Sequence, residues 1–319
     1  NVPANSDDTI TLPKDFQWQP MMSWGEPLFS KGARFESSAK VSAASQALAF
    51  GDNNDGMKHF NINGREILAI NHEYVNFASF FHHHDTQTPQ TQDDILKTQQ
   101  AVGVSIVEVS SDKNGWSVVK DSPFNRRITA QTPMAITGPA KGHTLMQTQQ
   151  DPDGVESLGT WSNCGSGKTP WGTYLTCEEN FNGYYASSNK AVLLSEDLLR
   201  YGHFAQGYGY DWHQVDDRFD LEKTPNEPNR SGYVVEIDPS SPNSTPKKRT
   251  ALGRFKHENA EMVLAPSGQV VVYLGDDERG EYLYRYVSNN AYNPKLTREQ
   301  QIDDLMENGI LYVAKFDDN

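Results

Sequence analysis

Short apolar runs punctuated by turn residues dominate the chain. Ile67-Leu68-Ala69-Ile70 is one such run, preceded by the turn-forming Asn63-Gly64 and the charged pair Arg65-Glu66, and its length suits a buried strand. From 102 to 109 apolar and polar positions roughly alternate, Asp112-Lys113-Asn114-Gly115 supplies turn chemistry, and 116–119 returns, which predicts a hairpin. Further strands are predicted over 172–176, 233–237, 270–274, 282–287 and 311–316. Helices are predicted over 191–201 and 298–308, the second opened by a Thr297-x-x-Gln300 capping box and closed by Gly309. Both read as insertions between strands. The segments 86–94 and 201–230 are polar and rich in Asn, Gln, Gly or Pro, and read as loops of the kind that carry function. The pattern is mostly β, with no clean sequence repeat.

Composition sharpens this picture. The 24 Gly and 17 Pro among 319 residues favour many short strands, and an 11% aromatic share allows a large core. No apolar run is long enough to span a bilayer, so no membrane-embedded segment is expected. The 42 acidic against 28 basic residues give a formal charge of -14, which repels a nucleic-acid backbone and argues against DNA or RNA as a partner. An acidic enzyme acting on a phosphate ester must invert its local field, and bound multivalent cations do that; the plainer reading is that the acidity serves solubility. Cys164 and Cys177 are the only cysteines, too few for a disulfide framework. The opening Asn1-Val2-Pro3-Ala4-Asn5 has neither a start methionine nor a leader, as in a processed export product or a trimmed chain.

Several strand-like runs end in carboxylates. Ile70 leads into Asn71-His72-Glu73, Leu274 into Gly275-Asp276-Asp277-Glu278, and two further segments end Cys177-Glu178-Glu179 and Lys256-His257-Glu258. Gathered at one mouth, these would form a cage of hard oxygen ligands with one thiolate, suited to calcium and to a transition metal such as iron. Acids at strand ends also occur simply because strand ends face water. Cys164 and Cys177 could equally pair as a disulfide in an exported protein.

Three motifs are set aside. Gly165-Ser166-Gly167-Lys168-Thr169 resembles a phosphate loop, but the motif's first glycine would fall at Ser162, and Pro170 opposes the required helix. Asp52 to Gly56 resembles an EF-hand start, but Gly56 at the sixth position makes Gly51 the first ligand and Ile62 the twelfth. His82-His83-His84 lacks a partner pattern and reads as exposed loop.

Longer strings carry a resemblance. They are Trp24-Gly25-Glu26-Pro27-Leu28, Asn71-His72-Glu73, Arg126-Arg127-Ile128-Thr129, and Asn163-Cys164 through Lys168-Thr169-Pro170-Trp171-Gly172 to Thr176-Cys177-Glu178-Glu179-Asn180. Asn226-Glu227-Pro228-Asn229-Arg230, Leu252 to Glu258 and Gly275 to Glu281 follow. Together they resemble the PhoX-type alkaline phosphatases along nearly the whole chain. The resemblance implies an all-β fold, a β-propeller with helical and loop insertions that is incomplete in this chain. Residues 1–319 would then be the N-terminal part of a single catalytic domain, which hydrolyses phosphate monoesters with calcium and ferric iron.

It further implies Cys177 as the iron ligand and Glu258 as a bridging carboxylate, with Glu73, Glu178, Asp276 and Asp277 at calcium or mixed sites and Lys168 contacting substrate phosphate. Cys164 would stay reduced or structural. Export to the periplasm or outside by the twin-arginine route is expected, as is an otherwise monomeric chain that pairs with its own C-terminal part. A Gly-x-Ser-x-Gly elbow is absent, which disfavours a covalent serine mechanism. The rival readings are a calcium propeller of the phytase or lactonase kind, without a cysteine ligand, and a non-catalytic binding propeller.

Overall fold

A computed structural model describes residues 2–36, 40–83 and 88–316. Strands dominate, in three sheets. The first is antiparallel and joins β1 (Asn54–Ile62), β2 (Arg65–His72), β3 (Gly103–Asp112) and β4 (Gly115–Val118), with β5 (Arg126–Ile128) also on β3. The second contains β6 (Pro133–Thr137), β7 (Glu156–Leu158), β8 (Asn163–Lys168), β9 (Tyr174–Glu178), β10 (Val234–Ile237) and β11 (Lys247–Arg249), in the order β7-β6-β11-β10-β9-β8. Only β11 and β6 run parallel in it. The third is the antiparallel series β12 (His257–Leu264), β13 (Gln269–Asp276), β14 (Leu283–Ala291) and β15 (Gly309–Val313). The helices are α1 (Ala43–Gln46), α2 (Phe77–Phe80), α3 (Gln92–Ala101), α4 (Glu196–Arg200) and α5 (Arg298–Glu307). Among the described residues no helix is long and apolar enough to cross a membrane.

The second sheet packs between the other two, and strand alternation explains how. Side chains of neighbouring strand residues point to opposite faces. Tyr174, Val235 and Ile237 therefore meet Phe60, Ile67, Val104 and Ile106 of the first sheet, while Leu175, Cys177 and Val234 meet Ala260, Val270, Val272 and Leu274 of the third. Turn chemistry sets the hairpin registers. Asn63 and Gly64 both take positive φ, 54° and 81°, which is the type I′ geometry that a two-residue hairpin of twisted strands requires. The 112–115 hairpin closes as expected, with Asp112 opposite Gly115.

The helix expected over 191–201 is confined to Glu196–Arg200. Asn189 accepts the Ala191 amide in a local turn, so the helix begins only where Ser195 caps it through the Leu198 amide. Part of the 86–94 segment belongs instead to α3, nucleated by a reciprocal Thr91–Asp94 capping box, and its residues 86–87 lie outside the described ones. The strand expected from 172 starts at Tyr174, because Thr169 and Thr173 close the preceding turn. Segment 201–230 is irregular, as expected, with three 3-10 turns; Trp212 and Phe219 tie it down by burying against Trp161. In the histidine run, His82 is exposed, His83 stacks on Phe81 and bonds Asp94, and His84 lies outside the described residues.

Candidate functional site

Three hairpins, one per sheet, end at a common mouth in the same way. In β1/β2 the last paired residues are Asn54 and His72, in β8/β9 Asn163 and Glu178, in β12/β13 His257 and Asp276. Each pair is followed by a register shift on its first strand, between Asn54 and Met57, Asn163 and Ser166, and His257 and Asn259. Such bulges re-aim side chains at a rim. The residue after each paired position is then a potential ligand: Asp55 and Glu73, Cys164 and Glu179, Glu258 and Asp277. Chemistry that is scattered over 223 positions of sequence thus recurs as one local geometry.

Glycines allow the first strands of these hairpins to converge. A Cβ on Gly56 would lie 2.7 Å from the Gly165 carbonyl carbon, one on Gly165 2.3 Å from the Glu258 carbonyl oxygen, and one on Gly167 2.0 Å from that of Ala260. No side chain fits between such backbones. The bulge at Cys164 is held by Asn71, whose Nδ2 donates to the carbonyls of Cys164 and Gly165 at 2.5 and 3.0 Å. Tyr174 Oη and Thr176 Oγ1 in turn donate to Asn71 Oδ1, each at 2.8 Å.

Asp55, Glu73 and Cys164 can bring one ligand atom each within 4.8 Å of one another, and Cys164 Sγ donates to Asp55 Oδ2 at 3.6 Å. Glu179 adjoins the group, within hydrogen-bonding reach of Asp277 and Cys164. Burial, then Glu179, Asp55 and Glu258, push Glu73 up to about 7. Burial and then Asp277 push Glu179 up to about 7, with Glu258 adding to it. The Cys164 thiol is driven up by burial, Glu179 and Asp55. Lys256, which lines the same cavity as Glu73, is paired with Glu278 at 2.5 Å.

Of the residues expected from sequence, Glu73, Glu258 and Asp277 face this group. Cys177 is fully buried in the apolar layer between the second and third sheets. It lies two positions before Glu179, and burial, then Glu178, Asp55 and Glu179, raise its pKa. Both cysteines are free, so the disulfide alternative is not realised. Glu178 turns the opposite way: its oxygens accept from Lys248 Nζ at 2.8 Å and from the Gly232 and Tyr233 amides at 2.8 and 3.0 Å. Alternation at the strand end makes Glu179 the inward carboxylate and Glu178 a structural ion pair. Asp276 departs similarly, bordering a cavity of about 60 Å³ with Arg200 and Arg254.

Lys168 departs from expectation as well. It ends β8, four residues past Cys164, or roughly 13 Å along the strand. Its Nζ donates to the His59 carbonyl at 2.8 Å and lies over the Phe60 ring, so it is spent away from the mouth. Sequence reasoning missed Asp55, Cys164 and Glu179. Asp55 sits in the rejected EF-hand match; the signal that could have found all three is the ligand position shared by the bulged hairpins.

A family model for the alkaline phosphatase PhoX matches residues 1–319. The chain belongs to the PhoX alkaline phosphatase family. A solved structure described as Pseudomonas fluorescens PhoX in complex with vanadate, a transition state analogue, is 47% identical to it, with a TM-score of 0.94. That match covers 99% of this chain and 54% of the other, so the chain spans about half the length of its solved PhoX relative. No curated protein sequence matches the chain.

For this PhoX family member the crowded carboxylates predict a pH effect. Glu73 and Glu179 have folded-state values near 7, above the usual 4.5, so the folded chain holds their protons more tightly than the unfolded one. Their contribution to stability is complete below about 4.5 and is lost as pH rises through about 7. Chelator-treated chain is expected to unfold at lower urea as pH rises across that window, and the decline should be shallower in Glu73→Gln.

Proposed function

We propose that this chain carries a metal-gathering face of a phosphatase that hydrolyses phosphate monoesters. The observation that carries the reading is the convergence of Asp55, Glu73, Glu179, Glu258 and Asp277: burial first, and then the neighbouring carboxylates, raise the pKa of Glu73 and Glu179 to about 7. Such a donor set fits multivalent cations. Hard carboxylate oxygens suit calcium, and a thiol suits ferric iron. The vanadate bound by the PhoX relative supports phosphoryl transfer as the chemistry.

In this reading Asp55, Glu73, Glu179, Glu258 and Asp277 hold the cations, and Cys164, whose thiol lies with Asp55 and Glu73, is the sulfur ligand for iron. Cys177, the iron ligand that the family resemblance implies, is enclosed in the apolar layer between the second and third sheets and is a core thiol instead. When bound, the cations supply charge neutralisation for the phosphoryl oxygens and Lewis acidity at the reacting centre. The chain's own residues set the geometry. Asn71, Tyr174 and Thr176 fix the bulge that carries Cys164, and Tyr184 Oη donates to the Glu73 carbonyl at 3.1 Å, holding that turn in place.

The three sheets are proposed to be neighbouring blades of a β-propeller, with β1, β8 and β12 nearest its axis; their glycine-lined approach supports this. Completion of the site by further chain is part of the proposal and rests on the resemblance and the relative's greater length. Periplasmic or secreted location through twin-arginine export is proposed on the resemblance alone.

The test is metal analysis beside a p-nitrophenyl phosphate assay on the full-length protein. Calcium and iron bound together with calcium-dependent hydrolysis are expected, with iron lost in Cys164→Ser and retained in Cys177→Ser. Calcium without iron would favour a phytase-like or lactonase-like propeller, and an inactive, metal-replete protein would favour a binding propeller.

A further inference from the structure

A cavity of about 470 Å³ opens beside the carboxylate group, within the size range of small-molecule sites. It reaches two of the three hairpin mouths: Glu73 lines it directly, and Ser162 and Asn180 flank the strand pair that presents Cys164 and Glu179. Its remaining wall is mainly tyrosine. Tyr184 and Tyr210 stack at 4.1 Å, and Tyr184 is 3% exposed, which makes that wall rigid. Tyr74 and Tyr208 also line it, 44% and 52% exposed; the Tyr208 ring packs against Phe204 at 6.0 Å between centroids, and its Oη donates to the Gly202 carbonyl at 3.2 Å.

We infer that this cavity receives the leaving group of the ester and favours aromatic alcohols, so that aryl phosphates are the preferred substrate class. The inference rests on the phosphatase reading and adds to it where the alcohol goes. An ester whose phosphorus lies at the carboxylate group projects its alcohol either to solvent or into this adjoining space. Aromatic rings gain from offset or edge contacts with other rings beyond the area they bury. Four tyrosines in place before binding reduce the ordering cost of that contact. Lys256 also lines the cavity, with its ammonium paired to Glu278.

The test compares 2-naphthyl phosphate with glycerol 2-phosphate in the metal-loaded, full-length enzyme and its Tyr74→Ala and Tyr208→Ala variants. Both residues are exposed, so the variants should fold. For the aryl ester kcat/KM is expected to fall about 5- to 20-fold in the double variant, while the glycerol ester changes by less than about 2-fold. Inhibition by phenylphosphonate should weaken in parallel, and inhibition by methylphosphonate should not. Equal losses for both esters, or none for either, would overturn the inference while leaving the phosphatase reading intact. Wild-type inactivity on both esters would overturn the phosphatase reading, and this inference with it.

Discussion

Glu179→Gln is expected to lose metal on the order of 100-fold or more, since even groups that only orient metal ligands cost about 10- to 100-fold when removed. Hydrolysis should fall at least in proportion, because the proposed chemistry depends on the cations. Glu178→Gln, one residue away, should retain its metal stoichiometry. The contrast is decisive because the two side chains leave the strand end on opposite sides, one toward Asp277 and the other toward Lys248. Calorimetric calcium titration of both variants, with iron measured by elemental analysis, reads the difference. Metal loss in Glu178→Gln with retention in Glu179→Gln would place the cations elsewhere.

Removing the partner of Glu178 should instead strike stability. Glu178 and Lys248 have side chains 0% and 1% exposed, and Lys248 Nζ also donates to the Arg230 carbonyl at 2.8 Å. Lys248→Met leaves a buried carboxylate whose remaining hydrogen-bond donors among the described residues are the Gly232 and Tyr233 amides. Breaking such a buried pair from one side costs about 3–5 kcal/mol, because the remaining charge is uncompensated. The double variant Lys248→Met with Glu178→Gln should recover much of that loss, since no buried charge is then left. Urea unfolding of the four members of this cycle measures both effects, and a Lys248→Met midpoint equal to wild type would show that the pair contributes nothing.

The buried pair also shows why sequence reading placed some site residues and displaced others. Glu178 and Glu179 are adjacent and chemically identical, as are Asp276 and Asp277. Which member of each pair faces the carboxylate group depends on where the strand ends relative to its pleat, a matter of one residue. The strand expected over 172–176 is observed at Tyr174–Glu178, and Glu179, just past its end, meets Asp277 while Glu178, the residue implied by the resemblance, pairs with Lys248. Lys168 was displaced for a related reason: its position in β8 places its ammonium against His59 and Phe60. Asp55 lies in the segment whose calcium-loop match fails, and no local spacing shows that it meets Glu73 and Cys164.

What the sequence determined by itself was local. The Asn63-Gly64 turn, the 112–115 hairpin, the capped helix Arg298–Glu307 and the apolar runs of β2, β10 and β13 are legible because near neighbours set backbone angles and alternation sets faces. The family strings pointed to the PhoX family, which the family model bears out. Only the tertiary structure decided which acids meet. Three hairpins far apart along the chain had to pack at glycine-thin contacts before Asp55, Glu73, Cys164, Glu179, Glu258 and Asp277 could share one mouth, and register and packing between sheets are set by long-range burial that no local window contains.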